Sequence, residues 1–553
     1  MPAASPDPVS LETTVPARSA SGQYLVLLAA ILGWMFDGLE MGLFPLVARP
    51  ALLDMMISTE QISATAQASD PAVKQAISQW FDVITACFLV GAATGGVVFG
   101  WLGDRIGRVR SMTLSVVVYS VFTGLCGLAE RPEQMALFRF IASLGMGGEW
   151  ALGVALVMEV WKVQSRGLLA GMIGAAANVG YLIIGVVSLG LTAVIVHLKD
   201  FLVSTGTSQE TIDWLTRNDG WRILMLIGAT PALLAMLVRL FVPESESWEK
   251  EHAEGRTSHW ATQDLLAVVF GACGPGVMIW LLAYGGDVSP AARVGVIILA
   301  LGMAGWGYIF PVWRYLGRSE AAARKPVDAA SSRQRIVGRM MLAAGLSGIA
   351  LVTTWGCVQR LPGWADFLAE ERLKTQLAAL GDSTAPEVQA QRATLQHDRK
   401  TAKAHTQIWS AIGAIVGTLV AALAGDALGR RVTYILMCFV SLASIQFVFR
   451  VTEYGPLFLF ASFVAGACTA SFYGWLPLYL PELFPTRIRA TGQGFGFNFG
   501  RILAAVGGLQ FSVVMAFLGG SESLTALWMS LIYLLGVPLV MFAPETRGLP
   551  LPD

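Results

Sequence analysis

Long apolar segments separated by short polar loops run through most of this 553-residue chain. About 20 apolar residues in a helix cross the roughly 30 Å hydrocarbon core of a membrane, and segments of that length recur about fourteen times. The pattern therefore predicts an all-α polytopic membrane protein. The predicted spans are 24–47, 81–102, 111–129, 134–158, 167–195, 221–242, 262–284, 292–316, 339–358, 407–424, 432–449, 456–476, 489–518 and 523–543.

Two stretches show that the chain repeats itself. "GWLGDRIGRVR" (100–110) follows the second span, and "ALAGDALGRR" (422–431) follows the second of the last six spans. The positions that align on the shared acid are Gly103 with Gly425, Asp104 with Asp426, Gly107 with Gly429, and Arg108 with Arg430. The repeat thus contains six spans, and the pair at 262–316 is an insertion. A hairpin of two spans starts and ends on the same face, so the insertion leaves the topology unchanged.

The repeat predicts five regions along the chain. They are a polar tail (1–23), an N-terminal six-helix bundle (24–243), a central region with two extra transmembrane helices and a basic linker (244–338), a C-terminal six-helix bundle (339–543) and a second tail (544–553). The first apolar run is too long for the core of a signal peptide and contains acids. We therefore expect a retained first span and not a cleaved signal.

Basic residues in the short loops set the expected orientation, because Lys and Arg favour the cytoplasmic side. Most of them, including Arg110 and Arg431, fall on one side, which predicts that both chain ends are cytoplasmic. The loop 359–406 on the opposite side carries seven Lys or Arg residues, but it is long and also acidic, so it receives less weight. The expected location is a cell (inner or plasma) membrane.

The composition excludes several other classes of function. The chain is 55% hydrophobic and 14% charged with a net charge of zero, so no nucleic-acid partner is indicated. None of the five histidines lies in the middle of an apolar run, and the six cysteines show no metal-ligand spacing. No metal or cofactor is therefore expected. No Walker-type GxxxxGK[ST] motif is present, so we expect neither ATP-driven transport nor enzyme chemistry.

Charged residues inside the spans are few, because a charge near the bilayer centre costs a few kcal/mol. Asp37 and Glu40 lie three residues apart in the first span, so a helix places them on one face. Burial and a like-charged neighbour both favour the protonated form of a carboxyl group. Both acids are therefore candidates for proton coupling. The alternative is a structural acid that is permanently protonated or paired with an arginine.

Three further charges lie within the spans. Glu149 sits among glycines that permit close helix approach, and it either couples protons or ties span 4 to span 1. Arg139 presents a planar donor fork that matches a carboxylate, so it either binds a substrate anion or holds Asp37. Arg501, in span 11, has the same two interpretations.

Seven polar or aromatic residues of the spans are candidates to line a substrate cavity. They are Trp34, Asn178, Tyr181, Trp355, Gln446, Tyr473 and Asn498. For each of them, helix packing is the alternative role.

The charged motifs at the predicted cytoplasmic ends form a candidate gate. Its residues are Gly103, Asp104, Arg105, Gly107, Arg108, Glu159 and Arg166 in the first half, and Asp426, Gly429, Arg430, Glu482 and Arg489 in the second. Opposite charges there can form ion pairs across helix ends. The glycines Gly107 and Gly429 fit tight turns. Simple anchoring by positive charge is the alternative.

Five motifs resemble those of the major facilitator superfamily. They are "GWLGDRIGRVR" (100–110), "RFIASLGMGG" (139–148), "PESESW" (243–248), "PELFPTRIRATGQG" (481–494) and "PETRG" (544–548). The resemblance covers about 24–243 and 339–548. It implies two six-span bundles around a central cavity, with transport by rocking of one bundle against the other.

Within the superfamily, "DGLE" (37–40) and "GMGGEWALGVALVMEVWKVQSRG" (145–167) look most like organic-acid proton symporters. The sialate and lactate symporters resemble the chain most, and the aromatic-acid branch is close. Leu39 and Glu40 depart from the usual end of the first-span motif, and Ser143 stands where that branch usually has glycine.

The resemblance implies proton-coupled symport of a small organic acid anion, such as a monocarboxylate, a sialate-like sugar acid or an aromatic acid, by alternating access. A sugar or polyol porter is one alternative, since the "PESESW" and "PETRG" motifs also resemble those of sugar porters. A non-transporting membrane sensor or scaffold is another. The expected partners are the small-molecule substrate, protons and the lipid bilayer, and a monomer is expected.

Overall fold

The computed structural model describes residues 20–63, 71–160, 166–230, 241–255, 261–284, 288–322, 333–380 and 385–552. Within these ranges the regular elements are all helices. Thirteen helical segments there are long and apolar enough to cross a membrane. The predicted all-α polytopic class is confirmed.

The first half begins with six helices that follow the predicted spans. They are α1 (Ala20–Ser58), α2 (Pro71–Ile106), α3 (Arg108–Cys126), α4 (Pro132–Val160), α5 (Arg166–Ser204) and α6 (Gln209–Ile227). The predicted sixth span, 221–242, begins within α6, but its residues 231–240 lie outside the described ranges.

The central region holds a short helix and the inserted pair. They are α7 (Glu246–Ala253), α8 (Leu265–Tyr284) and α9 (Pro290–Ala322). Helix α8 packs against α2, and α9 packs against α8. The Tyr308 hydroxyl on α9 lies 2.7 Å from Thr94 Oγ1 on α2. The predicted insertion is therefore a helical hairpin, and its first helix packs against the first half.

The second half repeats the first with more interruptions. Its helices are α10 (Arg333–Gly356), α11 (Leu361–Leu380), α12 (Pro386–Leu428), α13 (Arg430–Val448), α14 (Pro456–Ala470), α15 (Phe472–Tyr479), α16 (Arg489–Phe517), α17 (Glu522–Met529) and α18 (Tyr533–Val540). The predicted span 456–476 is divided between α14 and α15, and the predicted span 523–543 between α17 and α18.

The predicted outer loop 359–406 is helical. It consists of α11 and the first half of α12, which extends the predicted span 407–424 by about twenty residues. Ion pairs hold the two helices together, including Lys403 with Asp366 at 3.3 Å and Arg399 with Glu370 at 3.3 Å.

The two halves meet along two pairs of helices, α2 with α16 and α5 with α12. Small residues permit close contact within each half as well. A Cβ at Gly95 on α2 would overlap the backbone of Leu144, and one at Gly147 on α4 would overlap the backbone of Ala92. Such contacts replace the hydrophobic driving force that helices lack inside a bilayer.

Candidate functional site

Five charged side chains from three helices meet in the interior. They are Asp37 and Glu40 on α1, Arg139 and Glu149 on α4, and Arg501 on α16. Each side chain belongs to a residue that is at least nine-tenths buried. The first two helices belong to the first half and α16 to the second, so the charges lie where the two halves face each other.

Arg139 is paired with Glu40. The Arg139 Nη1 forms an ion pair with Glu40 Oε1, and Thr123 Oγ1 donates to the same oxygen at 3.3 Å. The guanidinium group also lies over the ring of Phe88, 4.4 Å from its centroid. The expected alternative in which Arg139 holds Asp37 is therefore wrong.

The direction of the helices explains this partner. Helices α1 and α4 are an odd number of spans apart and run in opposite directions. Glu40 is one helical turn beyond Asp37, so it lies level with the early α4 residue Arg139, whereas Asp37 lies level with the later residue Glu149. The spacing of residues in the sequence does not show which residues of these two helices lie side by side.

Asp37 and Glu149 form a second pair, made of two acids. Their carboxyl groups lie within hydrogen-bonding reach of each other. No other donor in the described part of the chain reaches Asp37 Oδ1 or either oxygen of Glu149. A carboxylate only accepts hydrogen bonds, whereas a protonated carboxyl group can also donate one. One proton shared between the two carboxyl groups would supply the hydrogen bond that they lack.

Arg501 faces this acid pair from the other half. Its strongest favourable electrostatic interaction is with Asp37. The guanidinium group lies over Phe497, 5.2 Å from the ring centroid. Its Nε and Nη1 are buried without a hydrogen-bond partner among the residues that the structure describes. A buried cation with unused donors is a ready binding group for an anion.

Two adjoining cavities open between the halves and share Met41, Trp355 and Gln359. The charged cavity, of about 30 Å³, is lined by Asp82, Arg139 and Arg360 among others. The neutral cavity, of about 80 Å³, has the polar lining residues Asn178, Tyr181, Thr354, Gln359, Gln407, Ser410, Thr469 and Tyr473. The cavities therefore bring together Arg139, Asn178, Tyr181, Trp355 and Tyr473 of the predicted substrate residues.

Three predicted cavity residues lie elsewhere and pack helices instead. The Gln446 amide donates to Leu527 O at 2.9 Å and lies inside the second half. The Asn498 amide donates to Gly147 O at 3.1 Å, which joins α16 to α4. Trp34 stacks on Trp150 with 5.7 Å between ring centroids. All three side chains therefore join helices to each other, which is the packing role considered as the alternative in the sequence analysis.

The gate residues of the first half form a network around Arg108. Its guanidinium nitrogens lie 2.8 Å from Asp104 Oδ1 and 3.2 Å from Glu159 Oε1. Several contacts then cross to the other half, including the bond from Arg108 Nη2 to Thr486 O at 3.0 Å. Arg489 lies 3.1 Å from Glu159, and Thr491 N donates to Asp104 Oδ2 at 2.9 Å. The two halves are therefore closed against each other on the predicted cytoplasmic face.

The gate residues of the second half repeat this network around Arg430. Its nitrogens lie 3.0 Å from Asp426 Oδ1 and 2.6 Å from Glu482 Oε1. Arg430 Nη1 donates to Gly425 O at 2.8 Å, as Arg108 Nη1 does to Gly103 O at 2.7 Å. The repeat seen in the sequence is thus a repeat of contacts.

Two predicted gate residues have other positions. Arg166 makes no ion pair with Asp104 or Glu159 in the described chain, and its charge faces Glu482 and Asp426 of the other half. Arg105 donates to Thr262 Oγ1 at 2.6 Å, so it contacts the inserted region and not the gate.

Two glutamates that complete the networks were missed in the sequence. Glu244 accepts from Arg108 N at 2.7 Å, and Glu545 accepts from Arg430 N at 3.0 Å. Each carboxylate lies at the start of a helix, where the helix dipole favours negative charge. The preceding glycines, Gly107 and Gly429, have φ of 112° and 93°, which confirms the tight turns.

The neighbouring hydroxyls repeat as well. Ser245 Oγ donates to Glu159 Oε2 at 2.5 Å, and Thr546 Oγ1 donates to Glu482 Oε2 at 2.5 Å. The signal in the sequence was the pair "PES" and "PET", which stand after the last helix of each half. The glutamate and the hydroxyl residue of each short motif therefore hydrogen-bond to the gate residues of the same half.

Comparisons with known proteins agree with this architecture. The family model described as "Sugar (and other) transporter" matches residues 27–263 and 392–553, which leaves out α8, α9, α10 and α11. The probable 4-methylmuconolactone transporter of Cupriavidus pinatubonensis is 22% identical over 522 residues, covering 94% of this chain and 90% of the relative. The cis,cis-muconate transport protein of Acinetobacter baylyi is 30% identical over 162 residues, covering 29% of this chain and 33% of the relative.

Among solved structures, the proton:xylose symporter XylE from E. coli, a member of the major facilitator superfamily, is similar in fold. Its TM-score is 0.60 at 16% identity, with 97% of this chain and 98% of that chain covered. This likeness shows the fold, and the family match covers well over half of the chain. The chain therefore belongs to the sugar (and other) transporter family, and it is a multi-pass membrane transporter with the major facilitator fold.

Proposed function

We propose that this protein is a proton-coupled symporter of a small organic acid anion. The observation that carries the proposal is the buried Arg501, whose unused donors face the Asp37–Glu149 acid pair at the meeting point of the two halves. A cation for the substrate and an acid for the proton are thereby in electrostatic contact.

This contact supplies a coupling mechanism. While Asp37 is ionised, its charge holds that of Arg501. A proton that enters the acid pair removes the negative charge of Asp37, and Arg501 becomes available to the carboxylate of a substrate. Proton and anion therefore bind together, and neither binds well alone. Glu149 shares the proton with Asp37, whereas Glu40, paired with Arg139, is a structural acid in this scheme.

The relatives support an organic acid as substrate. One is named for transport of cis,cis-muconate, a dicarboxylate, and another for transport of 4-methylmuconolactone. The resemblance of the first and fourth spans to the sialate, lactate and aromatic-acid symporters points the same way. We propose that the carboxylate binds Arg501 and that Tyr473, Asn178 and Tyr181 contact the rest of the molecule.

Alternating access would use the two gate networks. We propose that the first-half network is the closed cytoplasmic gate, with both termini in the cytoplasm. Rocking of the halves then breaks the pair of Arg489 with Glu159 and the bond from Thr491 to Asp104. The contacts within each half, around Arg108 and Arg430, stay intact during this motion.

A sugar or polyol porter is the second candidate, and one observation favours it. The neutral cavity is lined by amides and hydroxyls and by no charged side chain, which is a lining suited to a neutral polyol. Family membership favours either kind of transport over the sensor or scaffold alternative.

Uptake into proteoliposomes separates the two candidates. The panel is lactate, sialate, an aromatic acid, cis,cis-muconate and a hexose, each with and without an inward proton gradient. We expect an acid to accumulate only with the gradient and the hexose not to enter. Uptake of the hexose alone, indifferent to the gradient, would overturn the proposal.

A further inference from the structure

An apolar groove lies between the inserted hairpin and the second half. It measures about 820 Å³ and runs between α9 and α10, with α16 as its floor. Its lining includes Trp306, Phe310 and Trp313 on α9 and Phe499 and Leu503 on α16. Trp306 is 55% exposed although it lies in a segment apolar enough to cross a membrane. The groove therefore opens sideways, toward the bilayer.

One end of the groove is positively charged. Arg333 lies over the ring of Trp313, 5.1 Å from its centroid, and Arg314 lies 5.9 Å from the centroid of Phe310. Both rings are part of the lining, so the two guanidinium groups stand directly at this end. Arg105 contacts Thr262 just before α8, which places this end on the same face as the first-half gate.

The nearby acids leave hydrogen-bond donors of these arginines available. Arg314 lies 4.0 Å from Asp264, which also pairs with Arg318, and Arg333 Nε lies 2.6 Å from Glu320. Arg318 is the nearer partner of Asp264, and Arg314 lies at the outer limit of an ion pair. Each guanidinium has five N–H donors, and the Arg314 side chain is 58% exposed. Donors remain for a further anion.

We propose that this groove binds an anionic phospholipid, with an acyl chain between α9 and α10 and the phosphate at Arg314 and Arg333. In a membrane, an apolar groove that opens toward the bilayer is filled by the acyl chains of lipids. Arginine binds phosphate through a planar fork, and basic pockets between spanning helices on one membrane face are suited to acidic headgroups. The bound lipid would join the inserted hairpin to the second half.

Quenching of tryptophan fluorescence tests this proposal. The full-length protein in detergent receives phosphatidylglycerol or phosphatidylcholine with brominated acyl chains, which quench a tryptophan that they touch. The signal is the part of the quenching that disappears in Trp306→Phe. We expect phosphatidylglycerol to bind more tightly than phosphatidylcholine, by about fivefold for each of the two arginines. Equal quenching by both lipids would overturn the proposal.

Three variants sharpen the test. Arg314→Gln with Arg333→Gln should remove the preference for phosphatidylglycerol, whereas Arg335→Gln, an exposed arginine on the same helix as Arg333, should keep it. Gly302→Leu should fill the groove and weaken both lipids, because a Cβ at Gly302 meets nothing within 4 Å and the fold has room for it. An equal loss in Arg335→Gln would show only a general surface charge. Absence of any Trp306-dependent quenching would show that something else, such as a second copy of the chain, covers the groove. Either result contradicts the proposal.

Discussion

Asp37 and Glu40 lie on the same face of α1, yet the structure gives them opposite kinds of partner. Glu40 is paired with a guanidinium group and a hydroxyl, whereas Asp37 faces another acid and an arginine that has unused donors. A charge that is already paired has little reason to exchange a proton. In the proposed mechanism the proton therefore binds at Asp37, and Glu40 has a structural role.

The structural role of Glu40 predicts a loss of stability. Glu40→Gln leaves the Arg139 charge buried without its carboxylate, which typically costs about 3–5 kcal/mol. Thermal unfolding in detergent should therefore occur at a clearly lower temperature than in the wild type. The double variant with Arg139→Gln removes both charges and should recover part of the loss. A single variant as stable as the wild type would contradict this role.

The binding role of Arg501 predicts a loss of affinity. Arg501→Gln removes the cation proposed to bind the substrate carboxylate, and we expect binding to weaken about 30-fold or more. Arg501→Lys keeps the charge but not the planar fork, so its affinity should lie between that of the wild type and that of Arg501→Gln. Equilibrium binding of the transported acid measures this. Unchanged affinity in Arg501→Gln would place the anion site elsewhere.

At the scale of elements, the sequence predicted where the helices are but not what each one contacts. Apolar runs and repeated motifs were sufficient for the spans and for the inserted hairpin. The pairing of Glu40 with Arg139 depends on how α1 and α4 lie side by side, which no local pattern encodes. The same holds for Glu244 and Glu545, which are distant in sequence from the helices that they cap.

The cap on α13 predicts a dependence of stability on pH. Burial opposes ionisation of Glu545, but the backbone amides of Arg430, Arg431 and Arg547 outweigh it and lower the pKa of this carboxyl group. The stabilisation is therefore present above the ordinary glutamate pKa of about 4.3 and is lost as the pH falls through the lower folded value. Because Glu545 is exposed, solvent limits it to a few tenths of a kcal/mol.

The variant Glu545→Gln reveals this contribution. Its unfolding temperature should lie slightly below that of the wild type at pH 7. The difference should shrink as the pH falls below the ordinary glutamate pKa of about 4.3 and vanish once Glu545 is protonated in the folded protein. A difference that grows as the pH falls would contradict the assigned sign.

At the scale of the whole molecule, two similar halves carry one asymmetric set of contacts. On the predicted cytoplasmic face, Arg489 pairs with Glu159 across the halves, whereas the corresponding Arg166 makes no such pair with Glu482 in the described chain. The sequence repeat places equivalent gate residues in both halves, but it does not determine which of them pair across the halves. The acid pair and Arg501 lie at the same boundary, so the proposed proton site and the proposed rocking motion involve the same surface between the halves.

The most direct test of the account is transport by Asp37→Asn in proteoliposomes. Asparagine keeps the size of the side chain but neither takes up a proton nor carries a charge. We predict that this variant loses gradient-driven accumulation of the substrate acid while exchange of labelled for unlabelled acid continues. If Asp37→Asn still concentrates the acid against its gradient, the coupling of the proton to Arg501 through Asp37 is wrong.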